Sequence, residues 1–237
     1  MRLMFRFRWV PFVLAAVAVA LGVALAQWQT RRALEKEAVE ARMSAQQAAA
    51  PLDLNSALPR IDEAEFRRAV VKGEFVRDWP VYLDNRPYQG NAGFYLLMPF
   101  RIAGSDQHVL VARGWIKRDM SDRTRLPPIA TPSGIVQIEG VIRRHPGHVL
   151  ELGHAEPLHP GAIVQNLDVQ EFAQASKLNA APLLIEQVSD TQDGLVRDWL
   201  RPSAGVERHR AYAFQWYALA ATALLFFIVT GFRRGTK

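Results

Sequence analysis

H-V-L-V-A-R-G-W-I, residues His108–Ile116, alternates apolar and polar side chains up to a glycine, as a half-buried strand does. G-F-Y-L-L-M-P-F (Gly93–Phe100) before it and V-Q-I-E-G-V-I-R (Val136–Arg143) after it repeat the pattern between turn signals. Working outward, V-K-G-E-F (Val71–Phe75), P-V-Y-L-D (Pro80–Asp84) and P-L-L-I-E-Q-V (Pro182–Val188) read as further short strands. Two helices join them: a short one over Asp62–Val70, and D-V-Q-E-F-A-Q-A-S-K-L (Asp168–Leu178), with Asp168 as its N-cap. Many strands with few helices predict an α+β domain, mainly antiparallel, with a small barrel among the closed forms that fit.

The chain has 237 residues, enough for one core-bearing domain plus membrane segments. Its apolar content is concentrated at the two ends. W-V-P-F-V-L-A-A-V-A-V-A-L-G-V-A-L-A-Q-W (Trp9–Trp28) has the length of a transmembrane helix and a tryptophan at each end. A signal peptide is the rival reading, because A-L-A-Q (Ala24–Gln27) resembles a cleavage site. The apolar core outruns a signal h-region, however, and a polar helix follows it, which favours a retained span. The second span is predicted over residues 211–230, before a basic tail. Arginines flank both spans: Arg2, Arg6 and Arg8 on one side, Arg233 and Arg234 with Lys237 on the other. The positive-inside rule makes residues 1–8 and 231–237 cytoplasmic tails. It puts 29–210 on the outer side: a periplasmic domain if the protein belongs to a bacterial inner membrane, an intermembrane one if the host is an organelle. Ala18, Gly22 and Ala26 form a small-residue stripe that fits contact with the alanines of the second span, or else alanines that simply face lipid.

A formal charge of +6 would suit nucleic acid, but the arginines are dispersed and no groove-reading motif accompanies them, so nucleic acid is not a partner. The absence of cysteine excludes disulfides, thiolate metal sites and C-x-x-C-H haem attachment. G-x-S-x-G, G-x-x-x-x-G-K-[ST], H-E-x-x-H and a dinucleotide glycine loop are all missing, so no enzyme is indicated.

Three features remain. His145, His148, His154 and His159, with Glu151 and Glu156, suit copper or zinc, or else a solvated loop. Arg113 and Trp115 either flank a turn glycine or present a cation and an aromatic face to a protein partner. At the threshold of the second span, His209, Tyr212, Ala213, Trp216 and Ala220 fall on one helical face. His209 offers a nitrogen ligand, the alanines leave room for a flat ring, and Arg208 or Arg210 could pair with a carboxylate. A porphyrin fits that description; an interfacial histidine beside an aromatic belt fits it too.

The motifs in order resemble the surfeit locus protein (Surf/Shy) family of cytochrome c oxidase assembly factors. They are W-Q-T-R-R-A-L-E-K (Trp28–Lys36), G-E-F (Gly73–Phe75), N-A-G-F-Y-L-L-M-P-F (Asn91–Phe100), R-G-W-I (Arg113–Ile116), I-E-G-V-I-R (Ile138–Arg143) and H-R-A-Y-A-F-Q-W-Y-A-L-A (His209–Ala220). The resemblance implies an outward-facing domain held by two helices and a non-enzymatic role in putting haem a into the oxidase catalytic subunit. The enzyme that makes haem a would be a further partner. It also implies haem a binding through the second-span histidine, which corresponds to His209. Two other roles fit the layout: a haem-free scaffold for an oxidase intermediate, and a periplasmic copper-binding protein using the histidine loop.

Overall fold

Alanine-rich apolar sequence from Trp9 onward has strong helical propensity, and Pro11 falls in the first turn, where a missing N–H costs nothing. The computed structural model describes residues 3–5, 7–122, 125–150, 157–199 and 205–234. In chain order the elements are β1 (Leu3–Phe5), α1 (Trp9–Ala48), β2 (Leu52–Asp53), α2 (Ile61–Ala64), β3 (Arg68–Phe75), β4 (Val81–Leu83) and β5 (Gly93–Ile102). They continue with β6 (His108–Lys117), β7 (Val136–Arg143), β8 (Ile163–Val164), α3 (Val169–Ser176), β9 (Ala180–Gln187), α4 (Val206–Gly231) and β10 (Phe232–Arg234). Two units result: Met1–Arg42 with Arg201–Lys237, and Met43–Leu200.

In the second unit, β3, β7, β9, β6 and β5 pair in succession and β5 returns to β3, closing a five-stranded barrel. Every pairing in the ring is antiparallel except β6 with β9. The α+β barrel expected from the sequence is therefore present. Closure divides each strand's side chains between two cores. Val71, Phe75, Phe100, Val109, Val111, Ile138 and Ile185 fill the interior. Leu97, Leu110, Ala112 and Leu184 point outward, under α3 and the β4–β8 layer, against Phe172 and Leu167.

That second layer corrects the half-buried reading of the central strands. Only one residue of β5, Arg101, is exposed, and β6 is buried from His108 through Trp115, because both faces are covered. The first short helix is also smaller than expected. It stops at Ala64, since the Phe66 N–H bonds to Ile142 O at 2.8 Å and delivers Arg68 onward to the sheet. α3 forms as expected, with Asp168 accepting from the backbone N–H groups of Gln170 and Glu171.

In the first unit, α1 has 40 residues, about 60 Å at 1.5 Å per residue, roughly twice a bilayer's hydrocarbon core. α4 has 26 residues, and both helices are long and apolar enough to cross a membrane. Val23 aside, the less exposed positions of α1 between Ala15 and Ala33 run Ala15, Val19, Gly22, Ala26, Gln29, Ala33; those of α4 run Val206, His209, Ala213, Trp216, Ala220, Ala223, Phe227. Alternating steps of three and four residues on both are the signature of left-handed packing, and the contacts Phe12–Phe227, Gly22–Ala220 and Gln29–His209 make the pair antiparallel. The rings of Phe12 and Phe227 pack at 5.8 Å near one end. At mid-length a Cβ on Gly22 would stand 2.9 Å from Ala220 Cβ, so glycine is what lets the helices meet. Gly22 and Ala26 lie in this contact as expected, whereas Ala18 is exposed, because the period is 3.5 residues rather than four.

Candidate functional site

His209 lies on the seam within the polar first turns of α4, one seam position after Val206. Gly205 opens the helix and accepts from the His209 backbone N–H. The ring is half-buried, and its Nδ1 lies 2.7 Å from Oε1 of Gln29 on α1. A carbonyl oxygen cannot donate, so in the neutral ring the proton of this bond sits on Nδ1 and Nε2 keeps a free lone pair. Among the described residues nothing bonds to Nε2.

The other expected haem-site residues separate into two groups. Trp216 is on the seam with His209, as are Ala213 and Ala220, which are 7% and 5% exposed. Those alanines do not leave room for a flat ring, as the sequence suggests: α1 fills the space beside them, Gly22 against Ala220. Tyr212 is 46% exposed and lies about 60° round the helix from His209, at the rim of the seam rather than on it. Any planar ligand of His209 would lie along this open flank. A groove of about 370 Å³ on α4, lined by Phe214, Gln215, Ala218, Leu219 and Thr222, does not include the histidine.

The two arginines also differ. Arg210 is engaged, 2.6 Å from Glu37 on α1 and 3.3 Å from Glu207, so it ties the helices together and is not free for a carboxylate ligand. Arg208 is exposed and has no ion pair among the described residues.

Arg113 and Trp115 are not presented to a partner. Leu96 faces Gly114 and Leu97 faces Ala112 across the β5–β6 pair, so Arg113 is the extra residue of a β-bulge that turns it into the barrel end. There its guanidinium stacks 4.5 Å from the Phe75 ring, donates to Thr131 Oγ1 at 2.7 Å and to Ala130 O at 3.0 Å, and meets Asp193 at 2.7 Å. Arg197 grips the same carboxylate through both oxygens. Burial alone would raise the Asp193 carboxyl, but the bonds from Arg197, Thr191 and the Leu195 N–H outweigh it and hold the group below the usual range. Trp115 is 8% exposed, its Nε1–H donating to Arg86 O, and its backbone pairs with Val196 in both directions. A side chain on Gly114 would come within 2.7 Å of Leu195. Arg-Gly-Trp is thus the clasp that fastens segment 190–197 to the barrel.

In the histidine loop, the His145 and His148 rings lie 4.8 Å apart, and His145 Nδ1 accepts from the Gly147 N–H. Burial, followed by the nearby His148, lowers the His145 imidazole pKa. His159 donates to Pro160 O, while His154, Glu151 and Glu156 lie outside the described residues. Among the described residues no three His, Asp or Glu side chains gather as a metal site.

The SURF1 family pattern matches residues 16–221, which takes in the α1 seam, the barrel, the clasp and His209. The chain belongs to the SURF1 family. It is similar to a SURF1-like protein of Drosophila melanogaster, 26% identical over 92% of this chain and 76% of the relative. A SURF1-like protein of Rickettsia bellii is 28% identical over 86% of this chain and 84% of the relative. The Saccharomyces cerevisiae protein named Cytochrome oxidase assembly protein SHY1 is 28% identical over 46% of this chain and 27% of its own length.

Sequence reasoning assigned no role to three residues of this SURF1 chain: Gln29, Glu37 and Asp193. Gln29 had a signal, since it follows Gly22 and Ala26 on the 3.5-residue stripe and is the first polar residue there. Asp193 had none, being 80 residues from its partner.

Proposed function

We propose that this SURF1 protein is a membrane-held assembly factor for cytochrome c oxidase that holds haem a through His209 and passes it to the oxidase catalytic subunit. Family membership and the name of the yeast relative support the assembly role. One observation carries the haem reading: a half-buried imidazole at the polar end of the α1–α4 seam, with Nδ1 engaged by Gln29 and Nε2 unengaged. The donor set fits a loosely held porphyrin. His209 supplies one nitrogen, Tyr212 lines the adjoining flank, Trp216 stands further along the seam, and Arg208, with no ion pair among the described residues, is a cation free for a propionate. When bound, the haem offers a Lewis-acidic iron to the imidazole and carboxylates to the arginine. Single ligation suits cargo that must leave, so the work is ligand exchange rather than bond-making catalysis.

Arg8 ahead of α1 and the arginines after α4 support cytoplasmic ends, with the barrel on the periplasmic side of a bacterial inner membrane. There the barrel would dock the catalytic subunit, and the enzyme that makes haem a would be the donor. The test is the absorption spectrum of full-length protein purified in detergent from haem-a-making cells. Wild type should carry a Soret band, and His209→Ala should lose it while still inserting in the membrane. Pigment-free wild type would instead favour a haem-free scaffold for an oxidase intermediate.

A further inference from the structure

We propose that Gln29 is a positioning residue: its side-chain carbonyl fixes His209 in the Nδ1–H tautomer and aims the Nε2 lone pair away from α1. The identity of the ligand rests on the haem reading above; the tautomer rests only on the α1–α4 seam. Gln29 and His209 are half-buried, 180 positions apart in sequence and 2.7 Å apart in space. Ala26 and Ala33 are the neighbouring seam positions of α1, and Ala213 is the next on α4, so no other polar side chain of the seam stands beside the pair. The close approach of Gly22 to Ala220, less than two helical turns of α1 away, sets the distance across which the amide must reach.

The two orientations of a glutamine amide have opposite chemical consequences. With Oε1 toward the ring, Nδ1 keeps its proton and Nε2 is a ligand. With the NH₂ toward the ring, Nδ1 accepts, the proton moves to Nε2, and metal binding there is blocked. Metal-binding histidines generally give their second N–H to such an acceptor, which fixes ring orientation and raises ligand basicity. An amide raises it less than a carboxylate would, and it carries no charge to desolvate at the membrane boundary. Gln29 is therefore the acceptor that orients His209 without making it grip too hard.

The experiment is nitrogen NMR of full-length, haem-free protein in detergent, with ¹⁵N-labelled histidine and the His209 signals identified by their loss in His209→Ala. Wild type and Gln29→Glu, which keeps an acceptor, should show a protonated Nδ1 and a bare Nε2. Gln29→Leu should shift His209 toward the Nε2–H form. A protonated Nε2 in wild type, or an unchanged pattern in Gln29→Leu, would overturn the assignment. Loading the same proteins with haem a gives the second readout: Gln29→Leu should retain it about tenfold less well, the low end of what losing such a support costs, and Gln29→Glu should release it more slowly than wild type. Where His209→Ala loses its pigment, equal retention by Gln29→Leu and wild type would overturn the orienting role. If His209→Ala keeps its pigment while the wild-type tautomer is Nδ1–H, the haem reading fails and the role of Gln29 toward His209 is upheld.

Discussion

Arg113 and Asp193 meet at 2.7 Å with neither side chain exposed to solvent, and the second cation, Arg197, completes the cluster. Buried ion pairs contribute little net stability when intact, but removing one partner strands the other without water. Asp193→Ala should therefore cost about 3–5 kcal/mol, read from chemical unfolding of the detergent-solubilised chain. Asp190→Ala removes a carboxylate that is 77% exposed, from the same arginine, and should shift the midpoint only slightly.

The same carboxylate gives a pH dependence whose sign is fixed. Its folded pKa lies below the ordinary value near 4, so between the two values the unfolded chain binds more protons. The contribution of Asp193 to stability is full above that ordinary value and is lost as pH falls through the depressed folded pKa. Melting temperature measured from pH 6 downward should thus drop more steeply in wild type than in Asp193→Asn. The variant begins lower because its two arginines face no charge.

How far these contacts could be read in advance depends on their range. β7 and the N-cap of α3 were legible because alternation and capping are local. The second core was not: whether the outer face of Leu110 and Leu184 meets water depends on α3 and β8, which no strand pattern reports. The Arg-Gly-Trp motif was visible but its direction was not, since the bulge that turns Arg113 inward is a property of the β5–β6 register. At the helix pair, composition announced small residues and only packing chose their phase. His209 was legible as a ligand candidate, but its support from Gln29 required knowing which faces of α1 and α4 meet.

That phase can be tested covalently, because the chain has no cysteine of its own. A Cβ on Gly22 would stand 2.9 Å from Ala220 Cβ, so the helices need part by only about 0.6 Å to reach the lower end of disulfide spacing. Gly22→Cys with Ala220→Cys should form an intramolecular disulfide under mild oxidation, seen as a gel shift reversed by reductant. Ala18→Cys with Ala220→Cys should not, since Ala18 faces away from the seam. Equal yields from both pairs would mean that the helices do not meet in this register.

Arg208 and Arg210 flank His209, and composition alone treats them alike. Arg210 is held by Glu37 across the helix pair, and its side chain remains 58% exposed, so the bond is a modest tie. Arg208 has no ion pair among the described residues and is exposed, one residue before His209 on α4. If it meets a propionate, Arg208→Gln should weaken haem a retention roughly threefold to tenfold at low salt, and the difference from wild type should shrink at high salt, because an exposed charge contact is screened. Arg210→Gln should leave haem retention near wild type. Added to the Gly22→Cys, Ala220→Cys pair, it should instead lower the yield of that disulfide by loosening the outer end of the helix pair. Dissociation rates of the haem-loaded variants, measured by transfer to an apo-globin acceptor, check the first expectation, and the crosslink checks the second. A larger haem loss in Arg210→Gln than in Arg208→Gln would reverse the two assignments.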